Sequence, residues 1–420
     1  MRQSQLFTKT QKTSPKDEES KNAQLLIRAG FIHKEMAGVY TYLPLGLRVF
    51  NKIAQIIREE MNAIGGQELL MTTLQSPEIW KLSGRWGQEQ TDSRSGLPWF
   101  KTKLASGGEL GIANTHEEAL TTILCQHVSS YKDLPIYAYQ FQNKFRNELR
   151  VKNGIMRTRE FVMKDLYSFS RSEEEFRVFY EKCAASYLRI FKRLGIGDAT
   201  FRTFASGGAF SKFSDEFQTL SEVGEDSIYL DRKKQIAVNE EIYTNEVLAD
   251  LGLKKDTLEK VKSIEVGNIF PLGTKYSDAL GLKYRDERGE QKPVVMGSYG
   301  IGLGRSLGAV VEVHADEKGM VWPLSIAPFH VHLIALAGVE AETEKLYKEL
   351  SRTMEVLYDD RTEVRAGEKF ADADLIGIPY RVVVSKKTLE EESVEVKERK
   401  SGHIDRIPIT ELQNFLTRPL

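Results

Sequence analysis

Arginine, carboxylate and aromatic side chains with the chemistry to bind a nucleotide are concentrated in FRNELRVKNGIMRTREF, residues 145–161. If this segment is a hairpin, Arg146 and Glu148 share one face of a strand, and Arg157 and Phe161 return on the partner strand. Arginine binds phosphate bidentately, a carboxylate accepts from an adenine amino group, and a ring stacks on the base. A charged surface hairpin with one buried phenylalanine explains the same spacing, so both interpretations stay open here.

A second candidate is the glycine-rich stretch GSYGIGLGRSLGAVVE, residues 297–312. Gly300, Gly302 and Gly304 precede Arg305 and an apolar helix, and glycines allow close backbone approach. A helix N-terminus that carries an arginine suits a phosphate group, although a tight strand-to-helix packing turn suits the pattern too. The βαβ context and acidic residue of a dinucleotide-binding loop are not evident.

A third candidate is NTHEEAL, residues 114–120, at the entrance of a predicted helix. Thr115 and Glu117 suit a small ammonium group. The alternative is an ordinary capping box, with Thr115 as N-cap and Glu118 three residues on.

Composition limits the class of protein that can carry these groups. The 420 residues favour two or three domains, and 59 Lys+Arg against 60 Asp+Glu argue against strong non-specific affinity for nucleic acid. No apolar run approaches the length of about 20 residues that spans a bilayer. Cys125 and Cys183 lie far apart, and no histidine pair stands beside cysteines with metal-ligand spacing. We therefore expect a cytoplasmic enzyme without a disulfide framework or a structural zinc site.

Apolar periodicity predicts the elements that would position these side chains. It indicates helices over 48–63, 172–194 and 304–313, and antiparallel strands on both sides of the 145–161 segment. The proline-broken stretch 319–329 marks a domain boundary, after which strands alternate with helices. This alternation is typical of a compact α/β domain with a mixed sheet.

Together, these segments resemble the three signature motifs of class II aminoacyl-tRNA synthetases. Motif 1 resembles the helix from Arg48 with ELLMTTLQSPEIW, motif 2 resembles FRNE…RTREF, and motif 3 resembles GIGLGR. Within the class, the chain is similar to bacterial-type prolyl-tRNA synthetases over nearly its whole length. The segments that carry this similarity are LIRAGFIHKEMAGVYTYLPLGLRV, SYKDLPIYAYQFQNKFRNELR, GIMRTREFVMKDLYSF, EVGNIFPLGTKYS, VVMGSYGIGLGR and DDR…GEKFADADLIGIPYRVVVSKK.

The resemblance implies an α+β fold and a domain organisation. Residues 1–225 and 263–325 would form the catalytic domain, an antiparallel sheet flanked by helices, and 330–420 an α/β anticodon-binding domain with a mixed sheet. Residues 226–262 would be a short linker or excursion in place of a large editing domain, so we expect no editing in cis. A homodimer through motif 1 is implied, with L-proline, ATP, Mg²⁺ and tRNA(Pro) as ligands and no metal held by the protein alone.

The resemblance also implies roles for individual nucleotide-binding residues. Arg146 would hold the α-phosphate and the proline carboxylate side, and Glu148 would read the adenine amino group. Arg157 and Arg305 would bind the γ-phosphate end, and Phe161 would stack on adenine. Gln218 is expected near the ribose or the amino acid, and Thr115 and Glu117 near the ammonium of proline.

Four positions depart from the family pattern. Thr72 stands where motif 1 has proline, at the interface through which the resemblance implies that the dimer forms. Asn114 replaces a proline, and Asp215 and Asn268 each replace a histidine. By the resemblance these last three fall near the amino-acid pocket.

Two rival classes are another class IIa synthetase and a synthetase-like tRNA-binding protein without catalysis. The chain lacks the cysteine and histidine zinc cluster of threonine enzymes and the long N-terminal arm of serine enzymes. A non-catalytic relative would be expected to lose Arg146, Glu148 or Arg305, and all three are present. For anticodon binding we expect a basic surface that includes Arg361, Arg365, Lys369, Lys386 and Lys387.

Overall fold

The two ends of the chain belong to one compact unit. In the computed structural model, Met1–Met36, Tyr40–Lys52 and Val310–Leu420 form this terminal unit, and Ala37–Val39 with Ile53–Ala309 form a central unit. The structure describes residues 1–87, 99–148, 151, 153–208 and 213–418.

The described residues form twelve α-helices and twenty-one strands. The helices are α1 Lys21–Arg28, α2 Pro44–Ala63, α3 Pro77–Leu82, α4 Glu117–Leu124, α5 Glu173–Arg193, α6 Asn245–Asp250, α7 Lys275–Leu280, α8 Leu303–His314, α9 Glu340–Leu350, α10 Ala366–Ile376, α11 Lys386–Glu390 and α12 Leu412–Leu416. The strands are β1 Ile32–Met36, β2 Val39–Tyr42, β3 Gln67–Glu68, β4 Leu74–Gln75, β5 Phe100–Lys103, β6 Glu109–Ile112, β7 Ile136–Phe145, β8 Glu160–Ser170, β9 Thr200–Ser206, β10 Phe213–Leu220, β11 Asp226–Asp231, β12 Ile236–Asn239, β13 Glu259–Gly273, β14 Lys283–Arg285, β15 Gln291–Pro293, β16 Val295–Gly302, β17 Val331–Ala335, β18 Val356–Asp359, β19 Tyr380–Val384, β20 Ser393–Glu398 and β21 Ile404–Pro408. Within the described part, no helix combines the length and the apolarity needed to cross a membrane.

The central unit is built on a nine-stranded sheet with the order β10-β9-β12-β11-β13-β16-β8-β7-β3. Most neighbours are antiparallel, and the pairs β12–β9 and β3–β7 are parallel. The predicted hairpin is confirmed as β7 and β8, which pair in register from Ile136 opposite Phe169 to Phe145 opposite Glu160. Residues 145–161, which were predicted to bind a nucleotide, run from the last residue of β7 to the start of β8.

Helix α5 packs on this sheet through one apolar face. Its buried Phe176, Tyr180, Cys183, Tyr187 and Ile190 recur at helical spacing. The ring of Tyr187 lies 5.0 Å from that of Phe217 on β10. A Cβ added at Gly267 on β13 would lie 3.2 Å from the ring of Tyr187, so the close approach of helix and sheet depends on glycine there.

The segment 226–262, for which the sequence predicts a linker or excursion, is integrated into the sheet. Strand β11 pairs with β13, β12 pairs with β9, and α6 packs with its own small apolar cluster around Val238, Leu248 and Leu253. The segment therefore widens the nine-stranded sheet.

The C-terminal part of the terminal unit contains a five-stranded mixed sheet in the order β18-β17-β19-β20-β21. The first three strands are parallel, and β20 and β21 are antiparallel to their neighbours. Strands β17 and β19 are buried along their whole length, as expected of central strands covered on both faces. The predicted α/β domain with a mixed sheet is confirmed.

Two local predictions are wrong. The pattern QELLMTTLQ, residues 67–75, predicts one continuous strand, but the structure has the two short strands β3 and β4 there. Thr115 is not the N-cap of α4: the cap position is His116, and the Thr115 hydroxyl donates instead to Glu117 Oε2 at 2.5 Å. This outcome removes the capping-box alternative for the NTHEEAL segment.

Candidate active site

The candidate site begins where β7 ends. Arg146 and Glu148 were predicted on one face of a strand, but β7 stops at Phe145 and both residues lie in the connection that follows. The Arg146 amide donates to the Arg159 carbonyl at 2.8 Å, and the Glu148 amide donates to the Arg146 carbonyl at 2.8 Å. A tight turn anchored on the partner segment therefore holds the two side chains.

A cavity of about 590 Å³ brings together most of the predicted nucleotide-binding residues. Its lining includes Arg146, Glu148, Arg157, Phe161 and Arg305. These side chains come from three separate stretches of sequence, so tertiary structure has gathered them in one place. All five side chains line one cavity, as binding to a single nucleotide would require.

Arg146 is a partly buried cation in this cavity. Its guanidinium carbon lies 5.2 Å from the centre of the Phe161 ring. Burial, followed by repulsion from Arg305, lowers the pKa of Arg146. Its buried Nε has no hydrogen-bond partner among the described residues. An arriving anion would relieve both the repulsion and the missing hydrogen bond.

Arg157 and Arg305 are held by carboxylates. Arg157 donates from Nη2 to Glu148 Oε2 at 3.1 Å and from Nη1 to Glu225 Oε2 at 3.0 Å. Arg305, the third residue of α8, donates from Nη1 to Glu265 Oε2 at 2.8 Å and from Nε to the Met156 carbonyl at 3.0 Å. These bonds place both guanidinium groups in advance of a ligand.

Gln218 lies among carboxylates. Its Nε2 donates to Glu216 Oε2 and to Asp226 Oδ2, each at 2.8 Å, while its buried Oε1 has no partner among the described residues. Burial and the negative charge of Glu265 raise the pKa of Glu216 to about 8. The same two causes raise the pKa of Asp226.

An adjoining cavity of about 430 Å³ is lined by Asp226, Glu265, Arg157 and Arg305. Gln218 lines neither cavity, and it reaches this second one only through its bond to Asp226. Among the described residues, no group of three or more His, Cys, Asp and Glu side chains could hold a metal ion. Carboxylates that line the second cavity could contribute to a metal site only together with other ligands.

Thr115 and Glu117 form a second, buried group. Glu117 accepts from Arg85 Nη1 at 3.4 Å and from Ser298 Oγ at 3.4 Å. Arg85 also donates to Glu118 Oε1 at 3.1 Å and to the Tyr276 hydroxyl at 3.1 Å. Neither Thr115 nor Glu117 lines the 590 Å³ cavity, yet the charge of Glu117 acts on the pKa of Arg146. The two groups are thus electrostatic neighbours.

A buried polar network supports the Thr115–Glu117 group from behind. Lys144 Nζ donates to Asp165 Oδ1 at 2.7 Å, and the Tyr167 hydroxyl donates to Asp165 Oδ2 at 3.0 Å. The amide of His116 in turn donates to the Tyr167 hydroxyl at 3.2 Å. Burial lowers the pKa of His116 to about 4, so its ring is neutral near pH 7. The network fixes the backbone between Thr115 and Glu117.

The four departures from the family pattern lie in different places. Asn268 lines the 590 Å³ cavity and donates to Glu265 at 2.6 Å. Asn114 is fully buried, and neither polar atom of its side chain has a partner among the described residues. Thr72 is exposed, and its hydroxyl donates to the Leu74 carbonyl at 3.0 Å.

Asp215 does not line the nucleotide cavity. It accepts from the Tyr180 hydroxyl at 2.6 Å and from Arg202 Nε at 3.0 Å, and it lines a separate groove beside Val247 and Leu251. Alternation along β10 turns Asp215 away from the face that presents Glu216. The expectation that this substitution changes the amino-acid pocket is therefore not supported by its position.

Sequence reasoning missed the carboxylates Glu216, Asp226 and Glu265, and it missed Arg85. Glu265 stands opposite Gln218 in the β10–β13 register, immediately beside a bulge that leaves Val266 of β13 without a partner on β10. Gln218 was a predicted site residue. Because side chains two residues apart on a strand point to the same face, the sequence could have indicated Glu216 as well. The pairing with Glu265 needed the sheet itself.

Comparisons with known proteins agree with this arrangement. Residues 100–314 match the family model described as tRNA synthetase class II core domain (G, H, P, S and T). Residues 323–418 match the model described as anticodon binding domain. Of the solved structures, prolyl-tRNA synthetase from Cryptosporidium parvum complexed with L-proline and AMP covers 94% of this chain and 73% of its own, with TM-score 0.74 and 18% identity. That structural likeness shows the fold.

Curated relatives extend the similarity over nearly the full chain. The proline–tRNA ligase of Agrobacterium fabrum is 39% identical over 445 residues, covering 99% of both chains. That of Rickettsia akari is 38% identical and covers 98% of this chain and 99% of the relative. That of Pelotomaculum thermopropionicum is 35% identical over an alignment of 570 residues, so it carries a segment without counterpart in these 420 residues. The chain belongs to the proline–tRNA ligase family of class II aminoacyl-tRNA synthetases.

Proposed function

We propose that this chain activates L-proline with ATP to prolyl-adenylate and transfers proline to the 3′ end of tRNA(Pro). The observation that carries the proposal is the 590 Å³ cavity, whose lining includes three arginines, a glutamate and a phenylalanine from distant parts of the sequence. The unpartnered buried Nε of Arg146 marks a place for an anion within it. The curated relatives named proline–tRNA ligase support the same substrate.

In the proposed first step, a carboxylate oxygen of proline attacks the α-phosphorus of ATP in line, and pyrophosphate leaves. Arg146 neutralises the charge that develops on the α-phosphate, while Arg157 and Arg305 hold the γ-phosphate end. Glu148 accepts from the adenine amino group, and Phe161 stacks on the base. Catalysis by positioning and charge neutralisation needs no covalent bond to the protein.

We assign the ammonium of proline to Thr115 and Glu117. Both side chains are buried, and their mutual hydrogen bond fixes the carboxylate in one orientation. A buried carboxylate favours a cationic ligand strongly, because the ligand replaces solvation that the group has lost. Arg146, on which the charge of Glu117 acts, would meet the proline carboxylate.

Mg²⁺ would arrive with ATP. Magnesium is usually held by one or two carboxylates together with substrate phosphates. Asp226 and Glu265 line the cavity next to Arg157 and Arg305, so their oxygens suit this ion once phosphates are present. The ion would shield charge on the pyrophosphate group. The carboxylates that now repel one another would also be stabilised by it.

In the second step, a hydroxyl of the terminal ribose of tRNA attacks the carbonyl carbon of the adenylate, an ester forms, and AMP leaves with the anhydride oxygen. We propose that the domain over 323–418 binds the anticodon. A cavity of about 670 Å³ there is lined by Glu340, Asp360, Arg361, Arg365 and Lys369. Among these predicted basic residues, Lys369 is buried and Arg361 is paired with Asp359 at 2.7 Å. Of the five basic residues predicted to bind the anticodon, Arg365, Lys386 and Lys387 are exposed.

We propose a homodimer through the motif 1 region and a cytoplasmic location. Leu70 and Leu74, on either side of Thr72, are 74% and 54% exposed, and Leu82 on the following helix is 64% exposed. Exposed large apolar side chains close together mark an interaction surface. A second copy of the chain is the partner that we assign to it.

We also propose that the chain has no editing activity in cis. In the sequence, β10 and β13 are separated by little more than the short strands and helix of 226–262, and these strands join the same sheet. A relative with a 570-residue alignment carries additional sequence that this chain lacks. Hydrolysis of mischarged tRNA would then depend on another protein.

The decisive experiment is ATP–pyrophosphate exchange with the purified chain and each of the twenty amino acids. We expect strong exchange with proline, weak exchange with alanine and none with threonine, serine, glycine or histidine. If exchange is strong with another amino acid and absent with proline, that amino acid is the substrate. No exchange with any of them would favour a tRNA-binding protein without catalysis.

A further inference from the structure

The first residues of the chain extend the edge of the C-terminal sheet. Arg2 forms a parallel bridge with Tyr358 on β18, the edge strand, and the Tyr358 amide donates to the Met1 carbonyl at 2.8 Å. Gln3 Oε1 lies 2.8 Å from Nε2 of the buried His332 on β17. The N-terminal segment is thus built into the domain that matches the anticodon-binding model.

Arg2 and Ser4 converge on one carboxylate, Asp360. Arg2 Nη1 donates to Asp360 Oδ2 at 3.3 Å, and the Ser4 hydroxyl donates to the same oxygen at 2.8 Å. The Ser4 amide donates to Asp360 Oδ1 at 3.0 Å. The other guanidinium nitrogen of Arg2 donates to Glu344 at 2.6 Å, and the Tyr347 and Tyr358 rings lie 5.4 and 5.5 Å from the guanidinium carbon.

Asp360 is the first residue of the connection between β18 and α10. That connection, residues 360–365, carries Arg361 and Arg365 and lines the 670 Å³ cavity. Ion pairs with Asp359 and Asp372 hold Arg361 to the fold, at 2.7 and 2.9 Å. Within the described part of the chain, the hydrogen bonds to the Asp360 side chain come from residues 2 and 4.

We propose that Arg2 and Ser4 are positioning residues for anticodon recognition, which they serve by fixing Asp360 and with it the loop 360–365. The inference rests on the proposed function, since it assigns the loop to tRNA. Two effects follow from the geometry. The loop is held in one conformation before RNA binds, which saves ordering free energy. Arg2 also neutralises Asp360 and Glu344 beside a cavity that must accept a polyanion.

The test compares tRNA-dependent and tRNA-independent activity in the full chain. Arg2→Gln removes the charge and the fork of donors, Ser4→Ala removes the hydroxyl, and Arg2→Lys keeps the charge. We expect Arg2→Gln to raise the KM for tRNA(Pro) in aminoacylation about tenfold, with smaller effects of Ser4→Ala and partial rescue by Arg2→Lys. Proline-dependent pyrophosphate exchange should stay unchanged in all three variants. Arg406→Ala, which removes an exposed ion pair with Glu391 on the same sheet, is the matched control and should change neither assay.

Two further measurements separate positioning from general charge attraction. Transcripts with the proline anticodon and with a substituted anticodon are compared, and Arg2→Gln should reduce the ratio of their kcat/KM values. Arg2→Gln and Asp360→Asn should also be non-additive when combined, because both act through the same contact.

An unchanged KM for tRNA in Arg2→Gln, or an equal loss on both transcripts, would overturn the inference. Additive effects with Asp360→Asn would overturn it as well. If the unsubstituted chain shows no proline-dependent exchange, the proposed function fails, and this inference fails with it. A failure of the inference alone would leave exchange and aminoacylation by the unsubstituted chain intact.

Discussion

The guanidinium of Arg305 donates to the carboxylate of Glu265 across 2.8 Å, between the start of α8 and strand β13. Both residues line the two adjoining cavities of the central unit. Their side chains are about one-third and one-quarter exposed, so the pair is open to ligands. Arg305 is therefore held ready for phosphate, and Glu265 stands where a phosphate-bound cation would gain from it.

Glu265→Gln is expected to raise the KM for Mg·ATP about tenfold in pyrophosphate exchange. The variant removes one negative charge from the Asp226 and Glu265 pair, and such charge-assisted contacts are worth about 1.5–3 kcal/mol. Exchange rates measured against Mg²⁺ concentration at fixed ATP check this. If neither the KM for ATP nor the dependence of exchange on Mg²⁺ concentration changes, Glu265 has no role in binding Mg·ATP.

Arg146→Ala is expected to abolish proline-dependent pyrophosphate exchange. Loss of one donor to charge that develops in a transition state costs about 10²–10³ in rate, and Arg146 would also contact proline. The matched control is Arg232→Ala, since Arg232 is an exposed arginine paired with Glu259 at 2.7 Å. Near wild-type exchange in Arg146→Ala would refute the phosphate role.

Phe161→Ala is expected to raise the KM for ATP roughly tenfold and to leave the KM for proline nearly unchanged. Stacking of a base on an aromatic ring is worth about 1–3 kcal/mol by alanine substitution. Phe161→Tyr keeps the ring face and should behave like the unsubstituted chain. Equal effects on both KM values would indicate that Phe161 acts mainly through its contact with Arg146, whose guanidinium lies 5.2 Å from the ring.

The raised pKa of Glu216 predicts a stability that falls as pH rises. In the folded chain this carboxyl keeps its proton up to about pH 8, whereas an ordinary glutamate releases it near pH 4.5. Between these two values the folded state binds more protons than the unfolded state, so the free energy of unfolding decreases with increasing pH. Glu216→Gln should flatten this decline in urea unfolding measured at pH 5, 6, 7 and 8. A decline of equal slope in the variant would place its origin in other groups.

Alanine is expected to be activated and attached to tRNA(Pro) without correction. A missing methylene-sized contact in an apolar pocket discriminates by only about 10–200-fold, and we propose no editing domain in this chain. Alanine-dependent exchange and the half-life of alanyl-tRNA(Pro) with the purified chain check this. Rapid deacylation by the chain would contradict the proposal that it lacks editing.

Local pattern was sufficient for several parts of the fold and the site. The hairpin, α5, α8 and the C-terminal mixed sheet follow from apolar periodicity, which acts over a few residues. Sequence alone could predict four of the site residues, because the two strands of a hairpin are close in sequence. These residues are Arg146, Glu148, Arg157 and Phe161. The end of β7 before Arg146 could not be predicted, because a strand ends where its pairing with neighbouring strands ends.

Contacts between distant segments could not be read in the same way. The position of Asp215 away from the nucleotide cavity follows from the face of β10 that packs under Tyr180 and Arg202. Glu265 meets Gln218 through a register that includes a bulge. Neither feature has a local signature in the residues themselves.

The sequence by itself determined the family resemblance, the residue types that suit a nucleotide and the elements that carry them, because these depend on short-range pattern. Only the tertiary structure decided which carboxylate faces which arginine, where Asp215 lies, and that Arg2 and Ser4 meet Asp360. Such pairs are separated by tens to hundreds of residues, and the packing of strands and helices sets their distances. That packing is a property of the whole fold.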